Sequence, residues 1–337
     1  MTITRLAEFP RIALAHRPTP LESMPNLSQT IGSEALFVKR DDCTGLAMGG
    51  NKVRQLEFYF GDAMACGASV VLITGATQSN YVRCTAAAAA KLGLRCVIQL
   101  EDRVKGMASD YHRSGNVLLD RLFGAEIHTY PEGEDESGAE ASLVRLAQEL
   151  TVQGERPYLI HLSPGHPPLG ALGYVEAAEE LLKQAGDRGI DFRSVVVASG
   201  SGQTHAGLLV GLRALGRSEV QVYGVCVRRR AKSQRARVLR CAQAVEQLLG
   251  LPGVVGPEDV TVTDQHLGAG YGQTTRESQE AILMAAREEG LLIDPVYTGK
   301  AFAGMLSLAR SGAFRGRPAV FMHTGGTPAL FAYGLLE

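Results

Sequence analysis

An α/β protein with at least two open parallel sheets is the fold class this sequence predicts, and three observations carry it. Strand-length apolar runs recur along the chain and are continuous rather than alternating, as in SVVLITGA (Ser69 to Ala76), which implies burial on both faces. They alternate with helical patterns, and strand–helix–strand order joins parallel neighbours. Three of the strands run into small-residue loops that open helices: ITGATQSNYVR, VVVASGSGQTHAG and VFMHTGGTPAL.

Along the chain, the first informative stretch is GGNKVRQLEF (Gly49 to Phe58), which follows the charged run VKRDD (Val38 to Asp42). It reads as a helix start and places Lys52 in the first turn, where the helix dipole favours anions rather than a cation. Lys52 is therefore either a surface residue tolerated at small cost or one placed for chemistry. Val70–Thr74 reads as a strand, followed by the alanine-rich helical stretch Val82–Leu92 and by a strand over Cys96–Leu100. YPEGEDESGAE (Tyr130 to Glu140) is acidic and turn-forming, hence a loop or helix entry. Val195–Ala198 leads to a helix over Thr204–Leu215 and a strand over Val220–Val227. The basic run VRRRAKSQRAR (Val227 to Arg237) reads as a solvated helix or loop face, ahead of a site for a phosphorylated or sulfonated ligand. Ala319–Met322 is a strand that leads to a helical pattern over Pro328–Leu335.

At 337 residues the chain suggests two domains, and 45% hydrophobic with 20% charged residues is a soluble, globular composition. A net charge of -1 supplies no electrostatic reason to expect nucleic acid or an anionic membrane as partner. The start, MTITRLAEFPRIALAHRPTP, meets arginine and proline early and lacks the uninterrupted apolar core of a secretory signal. No apolar window reaches the length of a membrane span. The six cysteines form no CxxC pair and no metal-like spacing with histidine, so reduced thiols in a cytoplasmic protein, without a metal, are expected.

Ligands of open α/β sheets bind beyond the carboxyl ends of the strands. There the three loops would present unpaired backbone N–H groups at helix N-termini, ready for anions. ASGSGQTHAG lacks the GK[ST] ending of a nucleotide-binding P-loop and is no GxGxxG fingerprint. A phosphate-bearing cofactor together with a carboxylate substrate would use all three loops.

These features resemble the pyridoxal-phosphate enzymes of fold type II, the tryptophan synthase β-like group. Within that group the chain is most similar to the family of D-cysteine desulfhydrases, L-cysteate sulfo-lyases and 1-aminocyclopropane-1-carboxylate deaminases. The resemblance runs almost end to end, through PTPLE (Pro18 to Glu22), VKRDD, GGNKVR, QSNYVR (Gln78 to Arg83), GALGYVEA (Gly170 to Ala177), SGSGQTHAGL, GAGYG (Gly268 to Gly272), LLIDPVYTGKAFAGM (Leu291 to Met305) and HTGGTPALFAY (His323 to Tyr333). It implies two open, twisted parallel-sheet domains with the active site in the cleft between them. Residues 1–53 and 162–337 would form the large domain and 54–161 the small one. It also implies pyridoxal 5′-phosphate as cofactor, a small amino-acid substrate and a homodimer.

By this resemblance Lys52 is the lysine that bonds to the cofactor aldehyde, a role that needs a neutral amine and suits the positive end of a helix dipole. Asn80 would hydrogen-bond the cofactor 3-hydroxyl, although a plain helix cap is the bland alternative. The loop Ser199, Gly200, Ser201, Gly202, Gln203 and Thr204 would wrap the phosphate. Ser79, with the amides around Gln78 to Asn80, would take the substrate carboxylate, and Ser79 is also a candidate for proton transfer at Cα. Tyr271 and Tyr297 resemble the two tyrosines that flank the substrate, as acid, base or positioning groups. His323 would line the ring region, and His205 would pack or cap its helix. Tyr81, Ser163 and His166 are further candidates for the substrate side, the last two from the variable segment HLSPGHPPLG (His161 to Gly170).

Two departures from the family pattern matter. Thr298 stands where the deaminases carry a glutamate facing the pyridine nitrogen, and Thr324 is a second hydroxyl expected there. Without that carboxylate the ring is a weaker electron sink, which favours β-elimination over opening of a cyclopropane. Gln55 replaces a lysine that commonly supplies positive charge to the phosphate, leaving the helix N-terminus, hydroxyls and Arg54 to do so. The implied reaction is an α,β-elimination on D-cysteine or, as the alternative, L-cysteate, with cyclopropane deamination after both. A catalytically silent cofactor or amino-acid binder is the reading from a different class.

Overall fold

The continuous apolar runs become strands held between helix layers. In the computed structural model, which describes residues 3–334, the chain opens with β1 (Leu21–Ser23), α1 (Pro25–Ile31), β2 (Leu36–Lys39) and α2 (Asn51–Ala65). A run of alternating elements follows: β3 (Val70–Ala76), α3 (Asn80–Leu92), β4 (Arg95–Glu101), α4 (Gly115–Leu122), β5 (Glu126–Tyr130), α5 (Glu136–Val152) and β6 (Pro157–Ile160). Then come α6 (Leu169–Asp187), β7 (Ser194–Ser199), α7 (Gln203–Ala214), β8 (Gln221–Cys226), α8 (Ala231–Leu249), β9 (Thr261–Thr263), α9 (Arg276–Glu289), α10 (Thr298–Arg310) and β10 (Ala319–Met322). The helical pattern expected over 328–335 is a 3-10 helix, Thr327–Ala332, and Leu335 lies outside the described residues.

The strands form two sheets, of order β1-β2-β10-β7-β8-β9 and β5-β4-β3-β6. Every pairing is parallel except β1 with β2, which run antiparallel at the edge of the six-stranded sheet.

Alternation of side chains explains why the strands are apolar throughout. In β3, Val71 and Ile73 join the core that α3 covers, while Val70 and Leu72 pack with Leu143, Ala147 and Leu150 of α5 on the other face. In β7, Val195 and Val197 face α6 and α7, and Val196 faces Ala301, Phe302 and Met305 of α10.

Small residues let the central helices approach closely. A Cβ on Gly207 of α7 would lie 2.2 Å from Ala171 O of α6, and one on Gly173 of α6 would lie 2.4 Å from Arg54 O of α2. A buried polar network fixes α2 to the rest. Arg54 donates to both oxygens of Asp41 at 3.0 Å and to Glu180 of α6 at 2.8 and 3.0 Å. Tyr174 donates to Asp41 at 2.6 Å, and Lys39 donates to Glu180, to Gln184 and to Thr19 O. The charged run VKRDD is thus the socket of α2, and Arg54 is spent on it. Arg54 is not the phosphate ligand expected of it.

Candidate active site

The loops at the carboxyl ends of β3, β7 and β10 and the start of α2 line one cleft of about 900 Å³, part of it open to solvent. Lys52 is the second residue of α2, and the two glycines before it are dictated by geometry. Gly49 has φ 67°, and a Cβ there would fall 1.9 Å from Asp42 O. Gly50 has φ 114° and lies against the loop after β10, where Asn51 N donates to Thr324 O at 3.0 Å. The Lys52 Nζ lies 4.5 Å from the centre of the Tyr81 ring and 3.4 Å from Gln55 Oε1. Burial pushes this amine down to about 8. Its first-turn position acts in the same direction.

Beyond β3, Ser79 is the N-cap of α3, its Oγ accepting from Val82 N at 3.3 Å. Asn80, expected as a possible cap, is instead the first helical residue, and its buried side-chain oxygen has no hydrogen-bond partner. Gln78 turns its side chain away, donating to Tyr111 O at 2.6 Å and accepting from Asn116 N at 2.9 Å. It can reach a substrate only through its backbone.

Beyond β7, Gly200, Ser201, Gly202 and Thr204 line the cleft. Thr204 Oγ1 accepts from Asn51 Nδ2 at 2.8 Å and Gln55 Nε2 at 2.7 Å, so its own proton is free to be donated. The flanking residues of the same loop face elsewhere. Ser199 Oγ accepts from Gln234 at 2.9 Å and meets His205 Nδ1 at 3.2 Å, and Gln203 donates to Tyr59 at 3.0 Å. Both side chains back the loop rather than line the cleft, so these two residues can reach a ligand only through their backbone N–H groups. His205 is buried and pushed down to about 4, a neutral packing residue that also reaches the cleft wall.

Tyr271 and Tyr297 meet oxygen to oxygen at 2.5 Å on the opposite wall. Arg103 lies 5.4 Å from the centre of the Tyr271 ring. Lys300 anchors the loop carrying Tyr271 by donating to Leu267 O and Gly270 O at 2.8 and 2.7 Å. Asp294 fixes Tyr297 by accepting from the backbone N–H groups of Val296, Tyr297 and Thr298 at 2.8–2.9 Å. Burial pushes both phenols up, Tyr297 furthest, so the pair keeps its protons at neutral pH.

Thr298 does not face the cleft. Its hydroxyl donates to Asp294 Oδ1 at 2.6 Å and accepts from Asp294 N at 2.7 Å, and the hydroxyl lining the cleft from this side is that of Thr324. His323 is likewise turned inward, against Leu292 O and Gly325 N. Ser163 and His166 line a separate, adjoining cavity, where His166 stacks on His161 at 3.7 Å beside Glu140. From that segment only Leu162 reaches the main cleft.

Arg228, Arg229 and Arg237 of the basic run line the cleft together with Glu136 of the acidic segment, contrary to the solvated face expected. Opposite charge in two distant segments was the one available signal. Among the described lining residues Glu136 is the only carboxylate, and it is engaged by those arginines.

A neutral-leaning lysine, an orphaned amide oxygen and a glycine-rich, helix-opening loop with a free hydroxyl fit pyridoxal 5′-phosphate. A family model described as pyridoxal-phosphate dependent enzyme matches residues 12–325. The chain belongs to that family. It is 45% identical to a D-cysteine desulfhydrase of Yersinia enterocolitica, over 98% of this chain and 97% of that one. A D-cysteine desulfhydrase of Klebsiella pneumoniae is also 45% identical, over 99% of each. Among solved structures, a homologue of ACC deaminase superposes with a TM-score of 0.88 at 38% identity, covering 99% of this chain and 98% of that one. An O-ureido-L-serine synthase shares the fold, with a TM-score of 0.70 at 19% identity. Both family and fold agree with the resemblance carried by GGNK, QSN and DPVYTGKA, and pyridoxal 5′-phosphate is the cofactor.

Proposed function

We propose that this protein is a D-cysteine desulfhydrase, a carbon–sulfur lyase that converts D-cysteine and water to pyruvate, ammonia and hydrogen sulfide. One observation carries the reading: near-complete, 45% identical similarity to D-cysteine desulfhydrases coincides with a cleft that pairs Lys52 with two protonated phenols and offers the ring no free carboxylate.

When bound, the cofactor supplies an electron sink for the bond broken at Cα. The protein's own groups do the rest. Lys52 would hold the cofactor, and its amine, pushed down to about 8 by burial, can take up a proton in the cleft. Thr204 and the amides of Gly200 to Thr204 would hold the phosphate, and Asn80 would take the ring hydroxyl. Ser79 and the N-terminus of α3 take the substrate carboxylate. The Tyr271–Tyr297 pair, protonated and braced by Arg103 and Lys300, donates a proton to the sulfur as the Cβ–S bond breaks. The product left on carbon is an enamine, which takes up water and releases ammonia as it becomes pyruvate.

The same reading divides the chain into a large domain (1–53, 162–337) and a small one (54–161), consistent with β3 to β6 forming their own sheet. It makes the protein a cytoplasmic homodimer. Free cysteines accord with that compartment, and no described helix is long and apolar enough to cross a membrane.

The test offers the holoenzyme D-cysteine, L-cysteine, L-cysteate and 1-aminocyclopropane-1-carboxylate in parallel. Pyruvate with sulfide from D-cysteine, abolished in Lys52→Ala, is the expected result. Pyruvate with sulfite from L-cysteate alone, or 2-oxobutyrate from the cyclopropane, would replace the proposal with one of the neighbouring activities. Silence on all four would favour a cofactor-binding protein.

A further inference from the structure

The basic run and the acidic segment, far apart in sequence, meet beside the loop after β7. Arg228 donates to Glu136 Oε1 at 2.6 Å and Arg237 to its Oε2 at 3.2 Å, and Arg229 donates to it as well. Arg229 also donates to Gly200 O at 3.2 Å and Arg237 to Ser201 O at 2.8 Å. The arginines therefore grip the carbonyl side of the loop whose N–H groups line the cleft, which polarises those peptides toward an anion.

Glu136 faces three guanidinium groups and the exposed Glu134 reaches Arg228 at 3.3 Å, so two carboxylates meet three cations and the cluster holds a surplus of one positive charge. The surplus shows in the groups themselves. Burial and the neighbouring Arg237 push Arg229 down to about 10, and burial lowers Arg237 despite Glu136. The Arg228 side chain is 7% exposed, lines the cleft, and its Nε has no partner. A nearly buried cationic site with an unused donor is made for an anion. On the other flank of the loop the helix α2 offers only amides. Asn51 and Gln55 both bond Thr204, Arg54 is turned to Asp41 and Glu180, and Lys52 is reserved for the cofactor aldehyde.

We propose that Arg228, Arg229 and Arg237 are the counter-charge of the cofactor's phosphate, replacing a cation that the neutral Gln55 does not provide, with Glu136 setting the cluster's net charge. A phosphate monoester carries about −1.5 to −2 at neutral pH, so the surplus cation offsets half of it or more and binding would draw Arg228 from the exposed Glu134. The inference rests on reading Gly200 to Thr204 as the phosphate loop. It treats the arginines as positioning and charge-balancing residues, whatever the substrate proves to be.

The test uses the full-length apoprotein, titrated separately with pyridoxal 5′-phosphate and with pyridoxal, which lacks the phosphate, and followed by absorbance and fluorescence. In Arg229→Gln the affinity for pyridoxal phosphate should fall about tenfold or more, as expected for loss of a charge-assisted contact, while that for pyridoxal stays within about twofold. Adding Gln55→Lys to Arg229→Gln should restore most of the loss. Glu136→Gln should tighten pyridoxal phosphate relative to wild type, a gain that misfolding cannot produce. Equal weakening of both ligands in Arg229→Gln, no rescue by Gln55→Lys, or weaker binding in Glu136→Gln would overturn the proposal. Wild-type protein binding pyridoxal as tightly as pyridoxal phosphate would instead remove the phosphate loop itself.

Discussion

Lys52 differs from an ordinary lysine in its surroundings: an aromatic face, the neutral amide of Gln55 and no carboxylate within the contacts it makes. With its value pushed down to about 8 by burial, the amine loses its proton as pH rises through that value rather than near 10.5. The rate at which apoprotein takes up pyridoxal phosphate should therefore climb with pH and level off above a midpoint near 8. Stopped-flow absorbance across that range would show it, and a midpoint near the ordinary lysine value would contradict it. Tyr297→Phe should lower kcat about a hundredfold with a smaller change in KM. Because the phenols share one hydrogen bond, the double variant with Tyr271→Phe should fall little further. Additive losses would mean that the two act separately. At this scale the sequence made legible the placement of motif residues at helix starts, since Lys52, Ser79, Asn80 and Thr204 all line one cleft. It misled at Thr298 and His323, which belong to the right motifs but satisfy buried partners, Asp294 and the Leu292 carbonyl. Whether a hydroxyl faces a ligand or a neighbouring carboxylate depends on contacts across the fold, which spacing does not encode.

The start of α2 is the element on which the site depends most. Gly49 takes a left-handed conformation in contact with Asp42, and no larger residue fits without moving the turn. Gly49→Ala should cost roughly 2–3 kcal/mol of stability. It should also weaken cofactor retention, since Lys52 follows three residues later. Denaturant unfolding and the near-visible absorbance of the holoprotein would measure both, and a fully stable, fully loaded variant would refute the account of this turn. The glycine pair was visible in the sequence; its reason was not, because Asp42 O and Thr324 O come from other elements. The long parallel strands β3, β4, β7 and β10 were legible for the opposite cause, since burial on both faces writes a continuous apolar run. β1 and β9 left no such mark, being edge strands of three residues with only one neighbour each. The basic run also failed to announce itself, because the partner that buries it, Glu136, lies in another sheet's helix.

Across the whole molecule, the network of Lys39, Asp41, Arg54, Tyr174 and Glu180 joins β2, α2 and α6, and so holds the cleft's lysine-bearing wall against the core. Burial pushes Glu180 up, but Arg54 and Lys39 outweigh it and hold the carboxyl at about 2. A carboxylate depressed in this way contributes stability that is fully present above its unfolded value of about 4.5. That contribution, about 3 kcal/mol for this shift, is lost as pH falls toward 2. Unfolding free energies of the wild type should therefore drop through that window, and those of Glu180→Gln should be flatter there. Glu180→Gln should also be about 3 kcal/mol less stable at neutral pH, since buried Lys39 loses the carboxylate it pairs with, while Arg54 keeps Asp41. Equal acid slopes in the two proteins would show that another group governs acid stability.

The most direct test of the central claim is the product balance from D-cysteine. Purified holoenzyme should release pyruvate, ammonia and sulfide in equal amounts, and Lys52→Ala, loaded with the same cofactor, should release none above the free-cofactor background. Unequal products, or turnover that survives the loss of Lys52, would contradict the assignment of this cleft as the site of D-cysteine elimination.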